Sequence, residues 1–140
     1  MQIARTGYLA AYSLIPDATS KANLVTVKNE QGSRPMITEI VLFDLPKGIT
    51  REAMIAQFRE SIPRWQQNPD MIRKHMIFDL ASGKGGGIYL WKCVEDAQRW
   101  HDESFRQRVL SAFGSEPSYQ YFDTPVIVDN AARDIMIDAA

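Results

Sequence analysis

Two residues able to move a proton, Lys74 and His75, stand side by side in a strand-like segment. His75 falls in the middle of it, with Arg73 and Asp79 on its own face. Its ordinary pKa lies near neutrality, so it can serve as a general base or stand as a hydrogen-bonded structural histidine. Lys74 points to the opposite, apolar face. There it either snorkels to the sheet edge or meets an anionic group of a substrate in a pocket. Tyr89 and Trp91 share one face of the next strand, and Tyr119 and Tyr121 share a face of the last. Apolar walls carrying a few hydroxyl and indole donors suit a small aromatic ligand.

Other residues that invite a chemical reading have plainer explanations. The run Gly83-Lys84-Gly85-Gly86-Gly87 lacks the spacing of a phosphate-binding loop and precedes a strand, so it reads as a flexible hairpin turn. His101, beside Trp100 and Asp102 at a helix break, reads as a solvated helix end. Cys93 begins a helix, where a thiol pKa can be lowered, but it reads first as a small half-buried cap residue. One cysteine forms no intramolecular disulfide. With two histidines beside it no metal-ligand spacing arises, and neither a metal nor another cofactor is expected.

The elements that must position these residues are ordered strand, helix, strand, strand, helix, strand. Met36 to Leu45 is apolar on both faces, with Ile37, Val41 and Phe43 opposite Ile40 and Leu42. Thr50 caps a helix whose stripe is Met54, Phe58, Ile62 and Trp65, and Pro63 is expected to kink or end it. Met71 to Leu80 is mixed in character and suits a sheet edge. Ile88-Tyr89-Leu90-Trp91 is an unbroken apolar run, the mark of a central strand. A helix from Val94 to about His101 follows. A second helix begins at a capping box, Ser104 to Gln107, and stops at Gly114. The last strand spans Ser118 to Asp129, with Pro125 at an edge or bulge, and Ala131 to Ile137 suggests a short helix.

This order is the ferredoxin-like βαββαβ arrangement, an α+β fold with a four-stranded antiparallel sheet and helices on one face. Residues 1–35 read as an N-terminal arm, 36–130 as the domain and 131–140 as a tail. Two helices cover one sheet face only. The second apolar face therefore calls for a homodimer packed sheet to sheet, or for the arm folded across it.

Composition bounds the partners. At 140 residues, 45% hydrophobic and 24% charged, with a net charge of −1, the chain has no basic excess for nucleic acid. No run approaches the roughly 18 apolar residues of a membrane span. No signal peptide is recognised, and a cytoplasmic protein is expected.

The string Gly86-Gly87-Ile88-Tyr89-Leu90, after an Arg73-Lys74 strand and before Tyr121-Phe122-Asp123, resembles the YdhR-like monooxygenases of the dimeric α+β barrel superfamily. The resemblance covers about residues 36–130. It implies a ferredoxin-like homodimer and cofactor-independent oxidation of an aromatic or polyketide-like compound by molecular oxygen. Lys74 and Tyr89 are the matching positions with chemistry, and the N-terminal arm departs from the pattern. The resulting expectation is a monooxygenase acting on a phenolic or enolic substrate. His75, Tyr89 and Lys74 are its catalytic candidates, and Trp91, Trp65, Arg73, Tyr119 and Tyr121 its substrate-binding candidates. A non-catalytic small-molecule binder or a dimeric stress-response protein of the same fold is the alternative.

Overall fold

A computed structural model of the chain describes residues 24–27 and 35–138. Most of the arm expected over residues 1–35 therefore lies outside the described residues. The chain divides into two compact units, Ile37–Phe122 and a second made of the two ends.

The first unit has the expected strand and helix order. β2 (Ile37–Asp44) leads to α1 (Arg51–Gln66), then β3 (Met71–Asp79), β4 (Lys84–Trp91), α2 (Val94–Trp100), α3 (Glu103–Phe113) and β5 (Ser118–Asp123). The sheet order is β3-β4-β2-β5, which makes the two doubly apolar strands central and the mixed strand an edge, as their patterns require. β4 runs antiparallel to both β2 and β3.

Local chemistry sets most helix ends. The Thr50 hydroxyl accepts a hydrogen bond from Ala53 N, and Gly114 closes α3 in the left-handed region at φ 73°. The Asp102 carboxylate, accepting from Phe105 N, caps α3 in place of the Ser104 capping box. Gln107 instead bonds Glu103 along the helix surface. Pro63 does not end α1, which continues to Gln66. The inward stripe of α1 is Met54, Phe58, Ser61 and Trp65. Ile62 is 45% exposed, contrary to its expected burial.

The glycine run does not form the turn. The turn is Leu80 to Gly83, and Gly85, Gly86 and Gly87 lie inside β4. Close approach explains them. At Gly86, φ is 156° and a Cβ would stand 1.8 Å from the Val41 carbonyl oxygen. At Gly87 a Cβ would stand 2.8 Å from the Tyr89 ring and 3.2 Å from Lys74 Cε. The Tyr89 ring thus lies back over Gly87, and only glycine leaves it that room.

In the second unit, β1 (Leu24–Val27), β6 (Val126–Asp129) and β7 (Asp134–Asp138) form a three-stranded sheet of order β1-β7-β6, with β1 parallel to β7. The last strand expected from Ser118 to Asp129 is broken at Thr124-Pro125 into two strands of different sheets. The short helix expected over Ala131 to Ile137 is absent. The Asp129 carboxylate accepts from Ala132 N, Arg133 turns the chain at φ 59°, and the alternating Ile135-Met136-Ile137 continues as a strand. Pairing with β6 on one side and β1 on the other holds it as a strand, which local propensity does not register.

Gly86→Ala should lower the stability by more than about 2 kcal/mol in urea unfolding, because the new methyl meets backbone. Gly114→Ala faces open space and should cost only about 1 kcal/mol. Equal costs would contradict the close approach at Gly86.

Candidate active site

The register of the sheet makes the site. Lys74 on β3 stands opposite Tyr89 on β4, and Tyr89 stands opposite Glu39 on β2. One rung across three strands therefore carries an ammonium, a phenol and a carboxylate on the face covered by the helices. The next rung, His75-Ile88-Ile40, belongs to the other face.

Glu39 is fully buried at the centre of that helix-covered face. Its Oε1 accepts from Trp91 Nε1 at 2.9 Å and lies 2.7 Å from His101 Nδ1. Burial, and after it the negative charge of Glu39, pushes the Tyr121 phenol above its ordinary range and leaves it an O–H. A buried carboxylate needs such donors, since removing it from water unpaired costs several kcal/mol.

His101 is not a solvated helix end. Its side chain is fully buried, because α2 stops at Trp100 and the chain turns inward before Asp102 starts α3. Its ring centroid lies 4.1 Å from that of Phe105, 4.6 Å from Tyr89 and 5.6 Å from both Trp65 and Trp91. Burial holds its pKa below the ordinary value, although Glu39 pulls the other way. A neutral ring beside the Glu39 carboxylate follows.

A cavity of about 390 Å³ opens between α1, α3 and the sheet. Trp65, Tyr89, Phe105 and Phe43 wall it, and Lys74 lines it. The Lys74 ammonium sits 3.9 Å from the Trp65 ring centroid and 4.4 Å from that of Tyr89. Two ring faces favour the cation, each by about 2 kcal/mol when water is excluded. Loss of hydration outweighs them, repulsion from Arg64 adds to it and attraction to Glu39 only partly offsets it, so the pKa falls from 10.5 to about 7. Lys74 is therefore partly neutral at pH 7, the condition for a lysine base. Burial, with the Glu39 charge, pushes the Tyr89 phenol well above its ordinary range and leaves it an O–H donor.

Among the residues expected to act, Lys74, Tyr89 and Trp65 meet at the cavity. Trp91 is fully buried behind Tyr89, its ring stacked at 5.7 Å. Tyr119 is half-buried against Phe105 and His101. Tyr121 stands close enough to Glu39 to feel its charge. His75 and Arg73 are exposed on the opposite face of β3 and do not join this group. The Cys93 thiol is buried, and its pKa is raised by desolvation instead of lowered by the helix start. Among the described residues no cluster of three or more His, Cys, Asp or Glu side chains is placed to hold a metal ion.

Sequence reasoning missed Glu39, Arg64 and Arg108. A signal existed for the first: Glu39 is the lone charge in the alternating set Ile37, Glu39, Val41, Phe43. The arginines gave a weaker one, each standing beside or one turn beyond an inward aromatic residue, Trp65 or Phe105.

No protein-family model matches the chain, and no curated protein sequence matches it. Solved structures do match. A protein from Shewanella oneidensis aligns with a TM-score of 0.52 at 14% identity, over 65% of this chain and 92% of its own. A candidate antibiotic biosynthesis monooxygenase from Bordetella bronchiseptica aligns at 0.50 and 16%, over 65% and 98%. A protein of unknown function from Nitrosomonas europaea aligns at 0.50 and 14%, over 66% and 92%. The shared feature is the ferredoxin-like α+β fold. At these identities the likeness is one of fold. Among the described residues no helix is long and apolar enough to cross a membrane.

Glu39→Ala should lower stability by about 3 kcal/mol, because it strips the acceptor from a buried indole and the carboxylate that stands against a buried imidazole. Glu39→Gln keeps an acceptor oxygen and should cost less. His101, held below 6.5 when folded, contributes stability that is complete above pH 6.5 and is lost as pH falls through its lower folded value. Urea unfolding of the three proteins across this range tests both points. An Ala variant as stable as wild type would contradict the role given to Glu39.

Proposed function

We propose that the chain is a monooxygenase that turns molecular oxygen on a small phenolic or enolic aromatic compound, with Lys74 as the base. The observation that carries this reading is Lys74 itself: a lysine with a pKa of about 7, lining an aromatic cavity. The fold shared with a candidate antibiotic biosynthesis monooxygenase supports it, as does the resemblance of the Gly86–Leu90 string to the YdhR-like group.

In this mechanism the substrate ring lies against Trp65 and Tyr89. Neutral Lys74 Nζ removes the acidic proton of a ketone of the anthrone type. The ammonium so formed holds the enolate, and the Tyr89 O–H is a second donor near the anion. The electron-rich anion gives up electrons to oxygen. Over the whole reaction a CH2 becomes C=O: one oxygen atom enters the new carbonyl and the other leaves as water. Oxygen takes four electrons, all from that carbon, and no outside reductant is needed. Lys74 fills the base role in place of His75, because Lys74 lines the cavity and His75 sits on the exposed face. Arg73 shares that outer face and has no part in this scheme.

The homodimer belongs to the same proposal. Ile40, Ile77 and Ile88 on the outer sheet face are the apolar surface that a second sheet would cover.

Oxygen uptake with an anthrone tests the reading. Wild-type rate should rise with pH through about 7 as Lys74 loses its proton. Lys74→Met should lower kcat by about 100-fold or more, and His75→Ala should leave it unchanged. The same preparation should sediment at twice 15.9 kDa. Full uptake in Lys74→Met would overturn the assignment. A ligand that binds tightly and is never oxidised would favour the non-catalytic binder.

A further inference from the structure

The cavity carries more positive charge than its fold requires. Arg64 from α1 and Arg108 from α3 line it together with Lys74, and Glu60 is the one acidic residue in the lining. Among the described residues none of the three cations has a carboxylate within 4.0 Å, although five other ion pairs form between described side chains. They also repel one another: Arg64 lowers the pKa of both Lys74 and Arg108.

Local structure accounts for part of this. Arg64 lies in the last turn of α1, where a cation meets the negative end of the helix dipole. Arg108 has no such reason, being inside α3. Its guanidinium lies 5.9 Å from the Phe105 centroid, and one terminal nitrogen donates to the Ser104 hydroxyl at 2.9 Å. Its Nε is buried and has no acceptor among the described residues. A buried guanidinium donor left empty is costly, and the like charges beside it repel. One carboxylate placed between the two helices relieves both penalties, and a guanidinium fork fits its two oxygens.

We infer that the ligand of this cavity is an aromatic acid, its ring system seated against Trp65 and Tyr89 and its carboxylate held by Arg64 and Arg108. The inference rests on the reading of this cavity as the substrate site and narrows the substrate to one that enters as an anion. Lys74 is left free for the reacting end of the molecule, where a second negative charge develops. The two charges then have separate partners.

The test is equilibrium binding of 2-naphthoate and of its neutral isostere 2-naphthamide, followed by quenching of tryptophan fluorescence without oxygen. Wild type should bind the carboxylate about tenfold or more tightly than the amide at low salt, and the gap should narrow as salt is added. Arg64→Gln, at an exposed helix position, should lose part of the preference. Arg64→Gln with Arg108→Gln should lose all of it and still bind the amide, which also shows that the double variant is folded. Equal affinities in wild type would overturn the inference, and so would a preference that survives the double change. The outcome is separable from turnover. Oxygen uptake on a neutral anthrone with no carboxylate preference would sink the inference alone. A preference for the carboxylate without uptake on any bound ring would sink the oxygenase reading alone.

Discussion

A carboxylate in the middle of an aromatic core is the constraint around which this fold is arranged. Glu39 occupies the centre of the helix-covered face of a central strand, where water does not reach it. Its neighbours follow from that. Trp91 turns its indole N–H inward, and His101 is drawn under the helices by an interrupted helix. Replacing such a group with a hydrocarbon of like volume is often neutral for stability, so burial strength alone does not explain its presence. Its reach toward the cavity does. Glu39 supplies the negative charge that raises the pKa of Lys74 against desolvation and Arg64.

Lys74 is thereby held between two limits. Full hydration would keep it an ammonium with a pKa near 10.5, useless as a base at neutral pH. Burial with no counter-charge would drive it lower still and leave it a weak base. Desolvation and the charge of Arg64, partly offset by the Glu39 carboxylate, bring it to about 7, where it is able both to take a proton and, once charged, to hold an anion. The glycines of β4 belong to the same device. Gly87 lets the Tyr89 ring lie back toward the Lys74 stem, and Gly86 lets β2 come close enough to carry Glu39 on the shared rung.

Much of the scaffold was legible because it depends on local pattern. Two-sided apolar runs marked β2 and β4 as central, a mixed strand marked β3 as an edge, and Thr50 and Gly114 fixed two helix ends. The errors share another cause. Gly85 to Gly87 read as a turn because glycine is common in turns, whereas here a tyrosine ring and a neighbouring backbone require it. His101 read as solvated because a helix end usually is, and only packing shows that this one turns inward. The tail read as helix because one of its two pairing partners lies more than a hundred residues earlier in sequence, and the hairpin with the other depends on the turn at Arg133. The site was half visible. Lys74 on an apolar face and Tyr89 beside Trp91 were read from alternation. Glu39 broke the same alternation on β2 and passed unnoticed, and Arg64 and Arg108 acquire meaning only when α1 and α3 are brought to either side of a cavity.

The ionisation of Lys74 is the quantity from which the rest of the account descends. Heteronuclear NMR titration of the Lys74 side chain, assigned by its loss in Lys74→Met, measures it directly. A midpoint near 7 that falls further in Glu39→Gln is the result this structure predicts. A midpoint at the ordinary 10.5, indifferent to Glu39, would contradict both the base and the carboxylate that tunes it.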